Sequence, residues 1–245
     1  MSMTTLAYRN RLRALLTPAE HKAFARLDTP QKIQTFLDRL PANFCLNGDT
    51  AMSPRTVLKA GVAHCAEGAA FAAAALAYHG RRAWLVDMRA LPSDQDHIVT
   101  LFKERGLWGA ISKTNHAILR WRDPIYRSPR ELMMSYAHEY CLSSGRKSLL
   151  EYSRPISLTR YAPSRWVTLP EDLDWLLVEL DTAPHIPLAP RRALRNLRRA
   201  TAVELKAQAI LEWPDPRQKK PKAKRKTATK IKPKARAKKK RQTKR

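Results

Sequence analysis

Residues 60–80 read AGVAHCAEGAAFAAAALAYHG. A run this rich in alanine, opening behind Gly61 and closed by Gly80, reads as a helix over about 64–79. Helices with large core faces normally carry Leu, Ile or Phe. This one keeps its side chains small, which lets a sheet pack close against it. Its first turn carries a thiol, Cys65. Any fold must therefore allow a sheet to come close to this helix, with a cysteine at the helix start.

The flanking segments supply the layers. Residues 4–40 read as helical. TPAEHKAFARL has Thr17 as N-cap with Pro18 and Glu20 behind it. TPQKIQTFLDRL repeats the signal from Thr29, with Ile33, Phe36, Leu37 and Leu40 on one face. Residues 41–53 are loop-like, and Ser53-Pro54 starts a short helix that Gly61 ends. After the alanine helix, RAWLVDM (82–88) reads as a buried strand and HIVTLF, opening at His97, as a second. KERG is a hairpin signal with Gly106, and LWGAIS returns as a third strand. HAILRWR (116–122) alternates as a candidate fourth, and SPRELMMSYAHEY (128–140) is a helix capped by Ser128. Between 141 and 188 only SLTRYA and DWLLVEL stand out, both read as strands. From about 190 one long helix is expected, with Leu194, Leu197, Ala200, Val203, Ala207 and Ile210 as its apolar stripe.

Charge divides the chain. It carries 47 Lys and Arg against 21 Asp and Glu, a net +26 over 245 residues. Seventeen of the basic residues and none of the acidic ones lie in 217–245, leaving 30 against 21, or +9, for the body. The end is Lys, Arg, Pro, Ala and Thr with one Ile and no aromatic, so it reads as a disordered tail over 216–245. The body divides into a helical segment 1–40, a domain 41–188 and a helix 189–215.

No apolar run approaches the roughly 18 residues of a membrane span, and the N-terminus lacks a signal-peptide core. Cys45, Cys65 and Cys141 are odd in number, with no C-x-x-C, so neither a disulfide framework nor a zinc site is indicated. The expectation is a reduced, cytoplasmic protein, with nucleoid association open through the tail.

Five of the seven glycines (Gly61, Gly68, Gly80, Gly106, Gly109) fall between 61 and 109, the window that also holds Cys65 and His97. A cysteine is a good nucleophile only as its thiolate. The positive end of a helix and a neighbouring imidazolium both favour that form. Cys65 meets the first condition if the helix begins near His64. His97 meets the second if its strand crosses the helix N-terminus. Backbone N–H groups of the first turn could also hold a developing oxyanion.

GVAHCAEGAAFAAAALAYHG, then AWLVDM, then HIVTLFKERGLWGAIS resembles the transglutaminase-like branch of the papain-like cysteine enzymes, over roughly residues 44–125. The resemblance implies an α+β fold, in which the nucleophile-bearing helix packs on an antiparallel sheet. The helical ends and the basic tail are then additions to it. It also implies Cys65 as nucleophile, His97 as base, and acyl-transfer chemistry on protein or peptide amides: peptide or isopeptide hydrolysis, deamidation or amide transfer to an amine. No metal or organic cofactor is needed. In that family an Asp lies four residues beyond the hairpin Trp; four beyond Trp108 this chain has Ser112. A carboxylate would orient the imidazole and stabilise its charge, whereas a hydroxyl only orients it. Asn115 is an alternative orienting group, and Asp94 and Asp96 could supply charge. His116 is the reserve base, while His64, Cys45 and Cys141 read as structural. Trp108 reads as core, with shielding of the site as its functional role.

A second function stays open: a weakened or inactive binding module tethered to DNA or RNA. The nucleic-acid contacts would be Lys219, Lys220, Lys222, Lys224, Arg225, Lys226, Lys238, Lys239, Lys240 and Arg241 of the tail, joined by Arg191, Arg195 and Arg198. Arginines in a helix's first turns oppose its dipole. They call for an anionic partner or for acidic groups of the body.

Overall fold

Three short helices lead the chain, of which the computed structural model describes residues 5–217: α1 (Thr5–Ala14), α2 (Pro18–Ala25) and α3 (Pro30–Arg39). Thr17 and Glu20 close a reciprocal capping box at α2, and Thr29 caps α3. Helix α4 (Pro54–Ala60) starts at the Ser53 cap and stops at Gly61, whose φ of +68° is one glycine adopts without strain.

Helix α5 (Cys65–Tyr78) is the axis of the fold. Every residue from Ala66 to Tyr78 is buried. The first four helices pack on it from one side and the sheet from the other. Alanine suits this place because no side of the helix faces solvent, and small side chains let neighbours approach all round. Phe71 supplies the bulk where it is needed, stacking 5.3 Å from Phe24 and 4.9 Å from Phe36. At Gly68 the approach is closest: a Cβ there would lie 2.4 Å from the Lys113 Cβ.

The sheet has six strands: β1 (Trp84–Ala90), β2 (His97–Glu104), β3 (Leu107–Ile111), β4 (Arg122–Tyr126), β5 (Leu149–Ser153) and β6 (His185–Pro187). Their order is β4-β3-β2-β1-β5-β6, and every neighbouring pair is antiparallel. Leu85, Ile98, Phe102 and Ile111 join the α5 core, while Val86, Met88, Val99 and Leu101 line the opposite face. That face is closed by α6 (Pro129–Met134) and the turns after it, through Leu132, Met133, Tyr136 and Tyr140. Burial on both faces explains the nearly continuous apolar runs of β1 and β2. The described chain is thus α+β.

Several elements depart from the sequence reading. DWLLVEL is a helix, α7 (Asp174–Thr182), with Leu176 and Leu180 buried and Val178 exposed, and SLTRYA is a 3₁₀ turn at Leu158–Arg160. The fourth strand lies at Arg122–Tyr126, after the HAILRWR segment rather than along it. The expected long C-terminal helix is two short ones, α8 (Arg191–Arg195) and α9 (Ala202–Gln208). Between them the Ala200 N–H bonds the Gly145 carbonyl (2.8 Å), and Thr201 with Glu204 starts a new capping box. Tertiary bonding and a fresh cap override the periodic stripe.

One compact unit runs to Pro214 and takes in the N-terminal helices, the sheet and α8–α9. A second begins at Asp215, whose carboxylate pairs with the Arg217 guanidinium at 2.9 Å. The disordered-tail expectation falls outside the described residues. No described helix is long and apolar enough to cross a membrane.

Candidate active site

Cys65 is the first residue of α5, directly after the N-cap His64. Its N–H, at the first helical position, has no acceptor within the helix. The helix start is fastened by Glu67, which is buried. Its carboxylate accepts from the His64 N–H (2.9 Å), the Asn43 amide (3.1 Å), the Thr50 hydroxyl (2.7 Å) and the Met52 N–H (3.2 Å). These bonds tie the 41–53 loop to the first turn, and the negative charge suits the positive helix end.

Cys65 as a residue is half-buried, with its thiol at the inner end. Burial pushes the thiol up, but hydrogen-bonding contact with the His64 and His97 imidazoles, and their charge, outweigh it. Together they hold Cys65 well below the ordinary thiol range.

His97 opens β2 and is buried. Its Nε2 lies 2.8 Å from the Ser112 Oγ, and the Ser112 hydroxyl bonds the Leu119 carbonyl. A carbonyl only accepts, so the Ser112 proton points to Leu119. Ser112 must then accept from His97, which fixes the Nε2–H tautomer. Nδ1 is left as the nitrogen that can take the proton of Cys65. The run His97–Ser112–Leu119 carbonyl is ordered by these hydrogen-bonding rules.

Ser112 is itself held. Its N–H donates to Gln34 Oε1 (2.9 Å), and its carbonyl accepts from Gln34 Nε2 (2.8 Å). The next residue, Lys113, is buried and donates from Nζ to the Leu37 and Leu40 carbonyls at the end of α3. Leu119 sits at φ +59°, a costly conformation for leucine. Glu139 holds it there through the Leu119 N–H (2.6 Å) and is paired with Arg122 (2.6 Å).

His64 is more than a spacer. Its Nδ1 accepts from the Ala66 N–H (3.2 Å) and its Nε2 donates to the Thr50 carbonyl (2.7 Å), a pattern only the neutral ring satisfies. Burial disfavours its charged form. Contact with Cys65 and the Glu67 carboxylate outweighs that and pushes it up to about 9. A proton on Nδ1 displaces the Ala66 bond, so His64 caps the helix or carries charge, not both.

Other expected groups lie elsewhere. The Asn115 amide bonds both backbone groups of Trp213 (2.9 and 2.8 Å), at the C-terminal end of the described residues. His116 Nδ1 contacts the Gln208 carbonyl (2.9 Å). Asp94 accepts from the Ser148 hydroxyl and Asp96 from the Ala90 N–H. Trp108 pairs with Lys103 near the hairpin turn. At about 3.3 Å per residue that is about 20 Å along β2 from His97. There it packs edge-on to Trp84, 5.0 Å between centroids, and does not cover the thiol. Arg191 and Arg195 are exposed on α8, and Arg198 pairs with Glu204 (3.0 Å). The basic positions from Lys219 to Arg241 lie outside the described residues.

Gln34, Glu67 and the Leu119 carbonyl are the site groups that sequence reasoning missed. Glu67 had a signal: it stands three residues after the N-cap, as in a capping box. Gln34 had none. No family model matches the chain, and no curated protein matches it.

Proposed function

We propose that the chain is a cysteine-dependent acyl-transfer or peptidase-type enzyme acting on protein or peptide amides, of the transglutaminase-like kind. The observation that carries this is the ordered hydrogen-bond run from His97 through Ser112 to the Leu119 carbonyl, which leaves His97 Nδ1 for a thiol, together with Cys65 at the first position of α5. The His64 and His97 imidazoles lower Cys65 and so favour the thiolate. Attack on an amide carbonyl gives a tetrahedral oxyanion facing the first turn of α5. The His97 imidazolium then protonates the departing amine, leaving a thioester on Cys65. Water or a second amine resolves it.

The Ser112 hydroxyl orients His97 without adding charge, so rates below those of a carboxylate-assisted site are expected. Residues 217–245, with their excess of Lys and Arg, add a salt-sensitive affinity for DNA or RNA backbones.

The test is selective alkylation. Iodoacetamide at pH 7 should modify Cys65 well ahead of Cys45 and Cys141, and Cys65→Ala should lose ester and amide turnover. Equal labelling of the three cysteines, with Cys65→Ala retaining turnover, rejects the enzyme. The tail is tested apart: truncation to 1–216 should abolish nucleic-acid binding at low salt.

A further inference from the structure

Tyr140 is 4% exposed, and its hydroxyl has no hydrogen-bond partner among the described residues. Buried hydroxyls are almost always paired, so an orphan one needs a reason. Its position supplies one. The tyrosine belongs to the same buried cluster as Met88, Ala90 and Leu149, on the sheet face opposite α5. By strand alternation His97 belongs to that same face, with Val99 and Leu101. Met88 is the residue paired with His97, so the tyrosine sits at the His97 end of the sheet.

The backbone fixes it there. The Tyr140 carbonyl accepts from the Ser148 N–H (3.2 Å), and the Ser148 carbonyl accepts from the Leu91 N–H (2.9 Å). The Ser148 hydroxyl donates to Asp94 (2.5 Å). Tyr140 is thus strapped to the 91–96 connection that delivers His97. After burial, the charge that bears most on its phenol is that of Cys65, ahead of Asp94, Asp96 and Asp87. Burial and these charges push the phenol well above its ordinary range, so it remains a donor.

We infer that the Tyr140 hydroxyl is the side-chain donor to the substrate carbonyl oxygen when Cys65 attacks, acting with the Cys65 N–H. This rests on the acyl-transfer reading above. The thiolate sulfur forms a bond to the carbonyl carbon, and the C=O π pair moves onto oxygen. Tyr140 keeps its proton and hydrogen-bonds that oxyanion. When the pair returns, the C–N bond breaks and His97 gives its proton to the amine. Tyrosine acts as a donor in the first half and relaxes in the second, with no net proton transfer from it.

The experiment compares the parent, Tyr140→Phe and Cys65→Ala with p-nitrophenyl acetate as acylating probe and iodoacetamide as alkylating probe. Tyr140→Phe should slow the p-nitrophenolate burst about 10²-fold. Alkylation of Cys65, which forms no oxyanion, should stay within about twofold of the parent. The melting temperature should hold or rise, because an unpaired buried hydroxyl has been removed. A parental burst in Tyr140→Phe, with Cys65→Ala silent, overturns the tyrosine's role alone. So does a fall in burst, alkylation and melting temperature together, which marks a structural hydroxyl. A burst that survives in Cys65→Ala overturns the acyl-transfer reading and this inference with it.

Discussion

Gln34 grips Ser112 by both of its backbone groups, N–H to Oε1 at 2.9 Å and carbonyl to Nε2 at 2.8 Å, across 78 residues of chain. The position of the hydroxyl behind His97 is therefore set from α3. Gln34→Ala leaves two buried backbone groups unpaired, at about 1–3 kcal/mol each. Urea unfolding should report a loss in that range, and turnover should fall although no group touching the thiol has changed. A variant with parental stability and rate would show the clamp to be incidental.

Ser112→Ala removes the acceptor for the His97 Nε2–H and the donor to Leu119. We expect turnover to drop about 10²-fold as the imidazole loses its fixed tautomer. The pH at which alkylation of Cys65 is half-maximal should move up toward the ordinary thiol range. Ser112→Thr keeps the hydroxyl and should restore most of both. An unchanged alkylation profile in the alanine variant would mean His97 is held by something else.

Gly68→Ala should destabilise although alanine is the better helix former. The propensity gain is about 1 kcal/mol. Against it, the new methyl would meet the Lys113 Cβ at 2.4 Å, an atom next to the backbone that cannot swing aside. Overpacking of this kind costs about 1–3 kcal/mol. Thermal melting should show a net decrease of a few degrees, and turnover should fall because Lys113 follows Ser112 directly. A higher melting temperature would show that the contact relaxes freely.

Asp87 and His185 form a buried pair at 3.1 Å between β1 and β6. Burial first, and then the nearby Asp96, push the Asp87 carboxyl from 3.8 up to about 6, against the opposing pull of His185. Between those values the folded chain binds more protons than the unfolded one. This group's contribution to stability is therefore greatest below about pH 4 and declines as the pH rises to about 6. Asp87→Asn does not titrate. Unfolding curves from pH 4 to 7 should show the parent losing stability relative to the variant across that window. A constant difference between the two would remove Asp87 as the source.

Much of this was visible in the sequence, and the rest was hidden for identifiable reasons. The caps at Thr17, Thr29, Ser53 and Ser128 announce their helices because each cap is a local hydrogen bond. Cys65, His97 and Ser112 emerge in order because each lies at the start or just past the end of a regular element. The α7 segment misled because Trp175, Leu177 and Val178 fill the gaps between Leu173, Leu176 and Leu180, hiding a helical period inside a continuous apolar run. Strands β5 and β6 are five and three residues long and carry little pattern. The Gln34 clamp has no local signature, since its partner lies 78 positions away.

The alanine helix has a consequence for motion. Amides buried on every side and bonded within one helix exchange with solvent only when the molecule opens globally. The segment from Ala69 to Tyr78 should hold its deuterium-exchange protection longest, and the thiol stands at its head. A nucleophile on such a shaft does not travel to its substrate. Breathing that admits a ligand is expected from the 41–53 connection, which is tied to the first turn of α5, and from the 91–96 connection, which leads into His97.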